Sequence, residues 1–179
     1  MASTLAKTPM SRLTLFSTQY LIQGVVLGLI AEGLTANLKL TGMQASSIGV
    51  LMSSYYLTLS LKWLLGPAAD SLFRSGAACV KRSLILANIG LAASLFLTAA
   101  LASRLPPGSL VFLVVCIAAA VCASDVITDA LAIADTPPDQ RGRISGYMFT
   151  GLSVGLAVGG SGSLYLSSRL SFSTIIATA

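Results

Sequence analysis

An all-α fold, a polytopic membrane helical bundle, is what the sequence predicts, and three observations carry that expectation. Hydrophobic residues make up 55% of the chain and charged residues only 9%, where a soluble domain normally carries about 25% charged residues. The apolar residues gather into runs of about 20, the length needed to cross ~30 Å of hydrocarbon at ~1.5 Å per residue. The basic residues stand singly or in pairs between those runs and form no continuous face. The net charge of +5 therefore reads as membrane topology and excludes a footprint for nucleic acid.

Five segments are long enough to span, at residues 13–31, 46–66, 83–102, 109–132 and 144–167. A sixth begins near Ser171 with SFSTIIATA and is too short to cross. The opening stretch resembles a signal peptide, with Lys7 and Arg12 as its basic region. Its apolar part is too long for that, however, and it lacks a small-x-small cleavage site, so an uncleaved span is expected. The second segment closes on SLKWLLGPAAD, where Gly66 and Pro67 are expected to stop the helix because proline has no N–H to donate. The fourth closes on TPPDQRGR. In the fifth, Gly151, Gly155 and Gly159 recur every four residues, and such a smooth stripe lets helix backbones approach closely in lipid. Gly24 and Gly28 form a weaker pair in the first segment. The GGSG stretch of the fifth is not a phosphate loop, since no lysine follows it and no strand precedes it.

Short connections make consecutive helices antiparallel neighbours, and no linker divides residues 1–179, so a single bundle is expected. The positive-inside rule puts Lys7, Arg12, Arg74, Lys81, Arg82, Arg141 and Arg143 on the cytoplasmic side and Lys39, Arg104 and Arg169 outside. A multi-pass protein of a cell (inner or plasma) membrane with a cytoplasmic N-terminus is therefore expected.

The chain has no histidine, which removes the commonest metal ligand and general base. Cys79, Cys116 and Cys122 form no C-x-x-C pair, and their odd number argues against a disulfide framework. They read as small buried hydrophobes. Neither a cofactor nor a metal is expected.

The informative charges lie in SDVITDALAIADTPPDQRGR, residues 124–143. Asp125 and Asp129 share a helix face and repel each other. They lie near the negative end of the helix dipole and at partial depth in the bilayer, where a carboxylate is costly. Three penalties at one spot call for a cation or an aqueous cavity. Lys62, at similar depth in the second segment, is the first candidate, with Arg74, Arg82, Arg141 and Arg143 nearer the surface. The plainer reading of Lys62 is snorkelling to the headgroups. Magnesium-dependent phosphotransfer or prenyl transfer would need a second acid cluster opposite the first. The six acids, Glu32, Asp70, Asp125, Asp129, Asp135 and Asp139, do not supply one.

These residues resemble the major facilitator superfamily. Gly66 and Asp70 in LKWLLGPAAD match its G-x-x-x-D corner between helices two and three, with the following basic residues displaced to Arg74, Lys81 and Arg82. Asp125, Asp129, Ala130, Pro137, Asp139, Arg141 and Gly142 match the end of helix four in the branch of muropeptide permeases, acetyl-CoA transporters and folate–biopterin transporters. Lys62 and Trp63 before Gly66-Pro67 are also typical of that branch. The resemblance implies helices one to five, and a stub of six, of a twelve-helix fold built from two halves. Its missing C-terminal half or a second chain would be a partner, beside the lipid bilayer and a small-molecule solute.

The resemblance further implies transmembrane solute transport by alternating access, with no enzymatic activity. It places Tyr20, Gln23 and Asp125 beside the solute path, where interhelical hydrogen bonding is the plainer role of Tyr20 and Gln23. A cytoplasmic charge latch is expected from Lys62, Asp70, Asp125, Asp129 and Arg141. The rival readings are the membrane phosphotransferase or prenyltransferase above and a non-transporting membrane scaffold.

Overall fold

A computed structural model describes residues 9–101 and 107–167. Among them the chain is helical throughout, apart from short turns, with no strand. The first rod joins α1 (Pro9–Gly28) through a π-helical turn (Leu29–Leu34) to α2 (Thr35–Leu40). The second joins α3 (Ala45–Ser60) through a 3-10 turn (Leu61–Leu65) to α4 (Gly66–Arg74). Three unbroken helices follow, α5 (Ala77–Leu101), α6 (Pro107–Asp135) and α7 (Arg141–Ser167), the last two separated by a 3-10 turn (Pro138–Gln140). Two reversals rest on glycine in the left-handed region, Gly42 at φ 82° and Gly76 at φ 101°, a conformation that strains any residue with a Cβ.

Gly66 and Pro67 do not stop the second rod. The chain tightens into the 3-10 turn, and Pro67 then sits in the first turn of α4, where its missing N–H has no intrahelical partner to lose. Asp70 thus lies on a helix rather than in a loop. The first rod likewise runs past residue 31 to Leu40.

Among the described residues, four rods are long and apolar enough to cross a membrane: Leu13–Leu40, Ala45–Arg74, Ala77–Leu101 and Gly108–Asp135. Five complete spans were expected. The fifth, α7, has the length, but its glycines and serines dilute its hydropathy. The proposed sixth segment, Lys7, Arg104 and Arg169 lie outside the described residues. Large apolar side chains such as Leu57, Trp63, Leu86, Phe96, Phe112 and Phe149 stand exposed on the outer faces. Apolar exposure on that scale is unusual for a soluble monomer and suits a membrane-associated bundle.

Packing is organised around α6, which touches α1, α3 and α5, while α7 lies along α1 and the π-helical turn. Two apolar cores result. One gathers Val26, Ile30, Leu51, Leu91, Val114 and Ile117, and the other gathers Phe16, Val80, Leu84, Ile127, Ile144 and Met148. On α1 the cores are separated by Ser17 to Gln23, and on α6 by Cys122 to Asp125. Gln23 and Ser124, both buried, fall in this intervening layer, with Thr128 and Asp129 one turn further along α6.

Candidate functional site

The polar layer begins with helix periodicity. Gln19, Tyr20 and Gln23 lie on neighbouring turns of α1, and Ser124, Asp125, Thr128 and Asp129 on neighbouring turns of α6. Where these stretches meet, Tyr20 Oη donates to Asp129 Oδ1, and Ser124 Oγ donates to Gln19 Oε1 at 3.4 Å. Thr128 is satisfied within its own helix, donating to the carbonyl of Ser124 at 2.7 Å.

From the second rod, Lys62 Nζ donates to Asp125 Oδ2 at 2.8 Å. The Lys62 side chain is 50% exposed and that of Asp125 13%, so the carboxylate depends on the pair more than the ammonium does. Asp125 therefore turns to Lys62 and Asp129 to Tyr20. Among the described residues no group of three or more His, Cys, Asp or Glu side chains converges.

Beside the ion pair is a cavity of about 350 Å³ between α1, the second rod and α6. Tyr20, Gln23, Tyr55, Lys62 and Asp125 supply its polar wall, and Leu27, Leu59, Val121 and Leu152 its apolar one. Gln23 is 5% exposed and Tyr55 0%, yet Gln23 Nε2 and the Tyr55 hydroxyl have no hydrogen-bond partner. Buried polar groups are nearly always bonded, so these two stand out on the wall of one cavity, as do Ser17 Oγ, Thr35 Oγ1 and Thr136 Oγ1 elsewhere in the bundle. Cys122 also lines this wall, its thiol directed to the carbonyl of Thr58 at 3.5 Å.

A second cavity, about 380 Å³, lies between the end of α6 and the start of α7, with Asp129, Arg141, Ser145 and Met148 on its wall. Tyr20 faces the first cavity and Asp129 the second, so their hydrogen bond stands between the two. A larger groove of about 720 Å³ runs between α1 and α5. It is mainly apolar, and its polar residues are engaged elsewhere, Gln19 with Ser124 and Asn88 with the carbonyl of Leu84.

Of the residues expected to form a latch, the structure brings together Lys62, Asp125 and Asp129; Asp70 stands apart, and Arg141 shares a cavity wall with Asp129 without an ion pair to it. Arg141 instead donates to the carbonyls of Thr136 at 3.3 Å and Ile133 at 3.2 Å. A guanidinium is favourable there because the last helical carbonyls lack partners and carry the negative end of the dipole. Asp70 is exposed on α4, with no ion pair among the described residues. Tyr55 was not anticipated. The only sequence signal for it is the tyrosine pair in SSYYLTLS, where Tyr55 points inward and Tyr56 meets it edge-on at 5.5 Å.

Gly151, Gly155 and Gly159 face α1. A Cβ at Gly155 would overlap the carbonyl oxygen of Leu21 and lie 3.0 Å from Cα of Gly24. Gly24 and Gly28 meet α7 in the same way, at the backbones of Leu152, Leu156 and Gly160. Glu32, exposed on the π-helical turn, rests its carboxylate against Gly160, away from the polar layer.

Comparison with protein-family models, with curated proteins and with solved structures gave no match.

Proposed function

We propose that this chain is a solute carrier of the major facilitator type, working by alternating access without making or breaking covalent bonds in its cargo. The observation that carries the reading is the cavity with two unbonded, buried polar groups beside an ion pair, set in an apolar bundle. A scaffold has no use for such a wall, and the pairing of Asp125 with Lys62 and of Asp129 with Tyr20 does not favour a shared magnesium ion. The motif residues Gly66, Asp70, Asp125, Asp129, Arg141 and Gly142 add the resemblance to that superfamily.

In this reading the latch is narrower than the motifs suggest. It consists of Lys62 with Asp125 and of Tyr20 with Asp129, four groups that tie the second rod and α1 to α6. Swinging open exchanges these bonds for water, and a small set of such bonds suits a two-state element. Parting of Tyr20 from Asp129 joins the two cavities into a path toward the α6–α7 turn, which the positive-inside rule places in the cytoplasm of a cell membrane.

The test is aqueous access. In a background with Cys79, Cys116 and Cys122 replaced by serine, Leu27→Cys and Val121→Cys react with a membrane-impermeant thiosulfonate from one face only. Lipid-facing Val154→Cys stays unreactive. Ser75→Cys, in the turn before α5, labels from the cytoplasmic face. If neither cavity position reacts from either face, the carrier reading fails and a scaffold remains.

A further inference from the structure

Resting on the carrier reading, we propose that the cavity between α1, the second rod and α6 takes a small zwitterion, one solute bearing both a carboxylate and an ammonium group. Two features of the wall ask for opposite things. Gln23 Nε2 is a buried donor with nothing to donate to, and the hydroxyl of Tyr55, which lines the same cavity, is equally unbonded. Together with the half-exposed ammonium of Lys62, they form a set of donors suited to a carboxylate. Asp125, on the same wall, is paired with Lys62, and Asp129 follows it one turn along α6. The layer therefore sets two carboxyl groups against one ammonium, a balance that favours an added cation.

Solutes of a single sign fit less well. An anion that draws Lys62 to itself leaves Asp125, 13% exposed, without its cation and one turn from a second carboxylate, which is the costly way to break a partly buried pair. A cation bound to Asp125 releases Lys62 but leaves Gln23 and Tyr55 unsatisfied. A zwitterion meets both demands. Its carboxylate engages Lys62, Gln23 and Tyr55, while its ammonium replaces Lys62 at Asp125. The volume of about 350 Å³ limits the solute to roughly a dozen non-hydrogen atoms, taking ~30 Å³ for a water-sized group. The walls of Leu27, Leu59, Val121 and Leu152 suit an apolar side chain between or beside the charges.

The experiment measures binding to the full chain in lipid nanodiscs by calorimetry, with fluorescence of Trp63, the neighbour of Lys62, as a second readout. Phenylalanine, leucine and alanyl-alanine are each compared with the corresponding amide, which is a cation, and the N-acetyl derivative, which is an anion. At least one zwitterion is expected to bind about tenfold or more tighter than both of its derivatives, the scale set by losing a charge-assisted hydrogen bond. Gln23→Leu and Tyr55→Phe are expected to weaken the zwitterion several-fold and to leave the amide unchanged. Tyr55→Phe removes a hydroxyl that bonds to nothing in the structure, so it keeps the test valid if Gln23→Leu folds poorly. Derivatives that bind as tightly as the zwitterions, or no binding by any of the three, overturn the proposal. If that happens while Val121→Cys still reacts from one face, the carrier reading stands and the zwitterion alone is lost. If neither Leu27→Cys nor Val121→Cys reacts, the carrier reading has failed first.

Discussion

Toward α7, α1 presents glycine and bare backbone; toward α6, it presents Gln19, Tyr20 and Gln23. At the first interface Gly24 and Gly28 meet Gly155, Gly159 and Gly160 so closely that no Cβ fits. At the second, side chains hold the helices through hydrogen bonds, while a cavity remains between them and the second rod. A backbone seam gains dispersion contacts only while the helices touch and has no side chains that can repack as they part. A polar layer can trade each bond for one with water or solute at little net cost. One helix thus has a face suited to staying joined and a face suited to opening, and in the proposed function α1 and α7 stay joined while α6 parts from α1 and from the second rod.

The largest expected effect breaks the seam. Gly155→Leu places a side chain where the Leu21 carbonyl and Gly24 already sit. It should cost at least the upper part of the roughly 1–3 kcal/mol typical of overpacking, because backbone rather than side chain must give way. Thermal unfolding in detergent is the measurement, with Val158→Leu, 59% exposed on the same helix, as an unaffected control. Equal stability of the two variants would show that the seam tolerates bulk.

Tyr20→Phe comes next. It leaves Asp129 without its hydroxyl donor and should cost about 1.5–3 kcal/mol, as for hydrogen bonds to charged groups. Asp129→Asn should recover part of that loss in the double variant. Strict additivity would mean that the bond contributes nothing to holding α1 on α6.

Smaller still is the Lys62–Asp125 term. Lys62→Met and Asp125→Asn should each destabilise, and the double variant should recover part of the loss. Because Lys62 is half exposed, the coupling in this cycle is expected near the low end for ion pairs, about 1 kcal/mol. Simple addition would mean that Lys62 merely snorkels. The smallest effect belongs to Asp70→Asn, expected within about 0.5 kcal/mol, since an exposed residue outside any bond network rarely contributes more. A drop as large as that of Asp125→Asn would return Asp70 to the latch.

Legibility in the sequence followed the range of the physics involved. The Lys62–Asp125 pair was readable because depth in a membrane is nearly a linear function of position along a span, and two opposite charges at one depth limit the partners. The Tyr20–Asp129 bond was not readable, because depth says nothing of the rotation of one helix about another. Arg141 was placed at the acids by charge alone, whereas unbonded helix-end carbonyls closer in sequence claim it. Pro67 was read as a stop because helix interiors exclude proline. After the 3-10 turn it occupies a first-turn position, where that objection does not apply.

The sequence by itself determined that this protein is helical, that its rods suit a membrane, which residues carry its interior charge, and that glycine lines the fifth apolar segment, α7. Composition and periodicity settle these points because they depend on one segment at a time. Only the tertiary structure decided that the glycines of α7 face those of α1, that Tyr20 turns to Asp129, and that Gln23 and Tyr55 are left unbonded on one cavity wall. Each of these depends on the relative rotation and spacing of two or three rods, a property of helix pairs to which no single segment's pattern is sensitive.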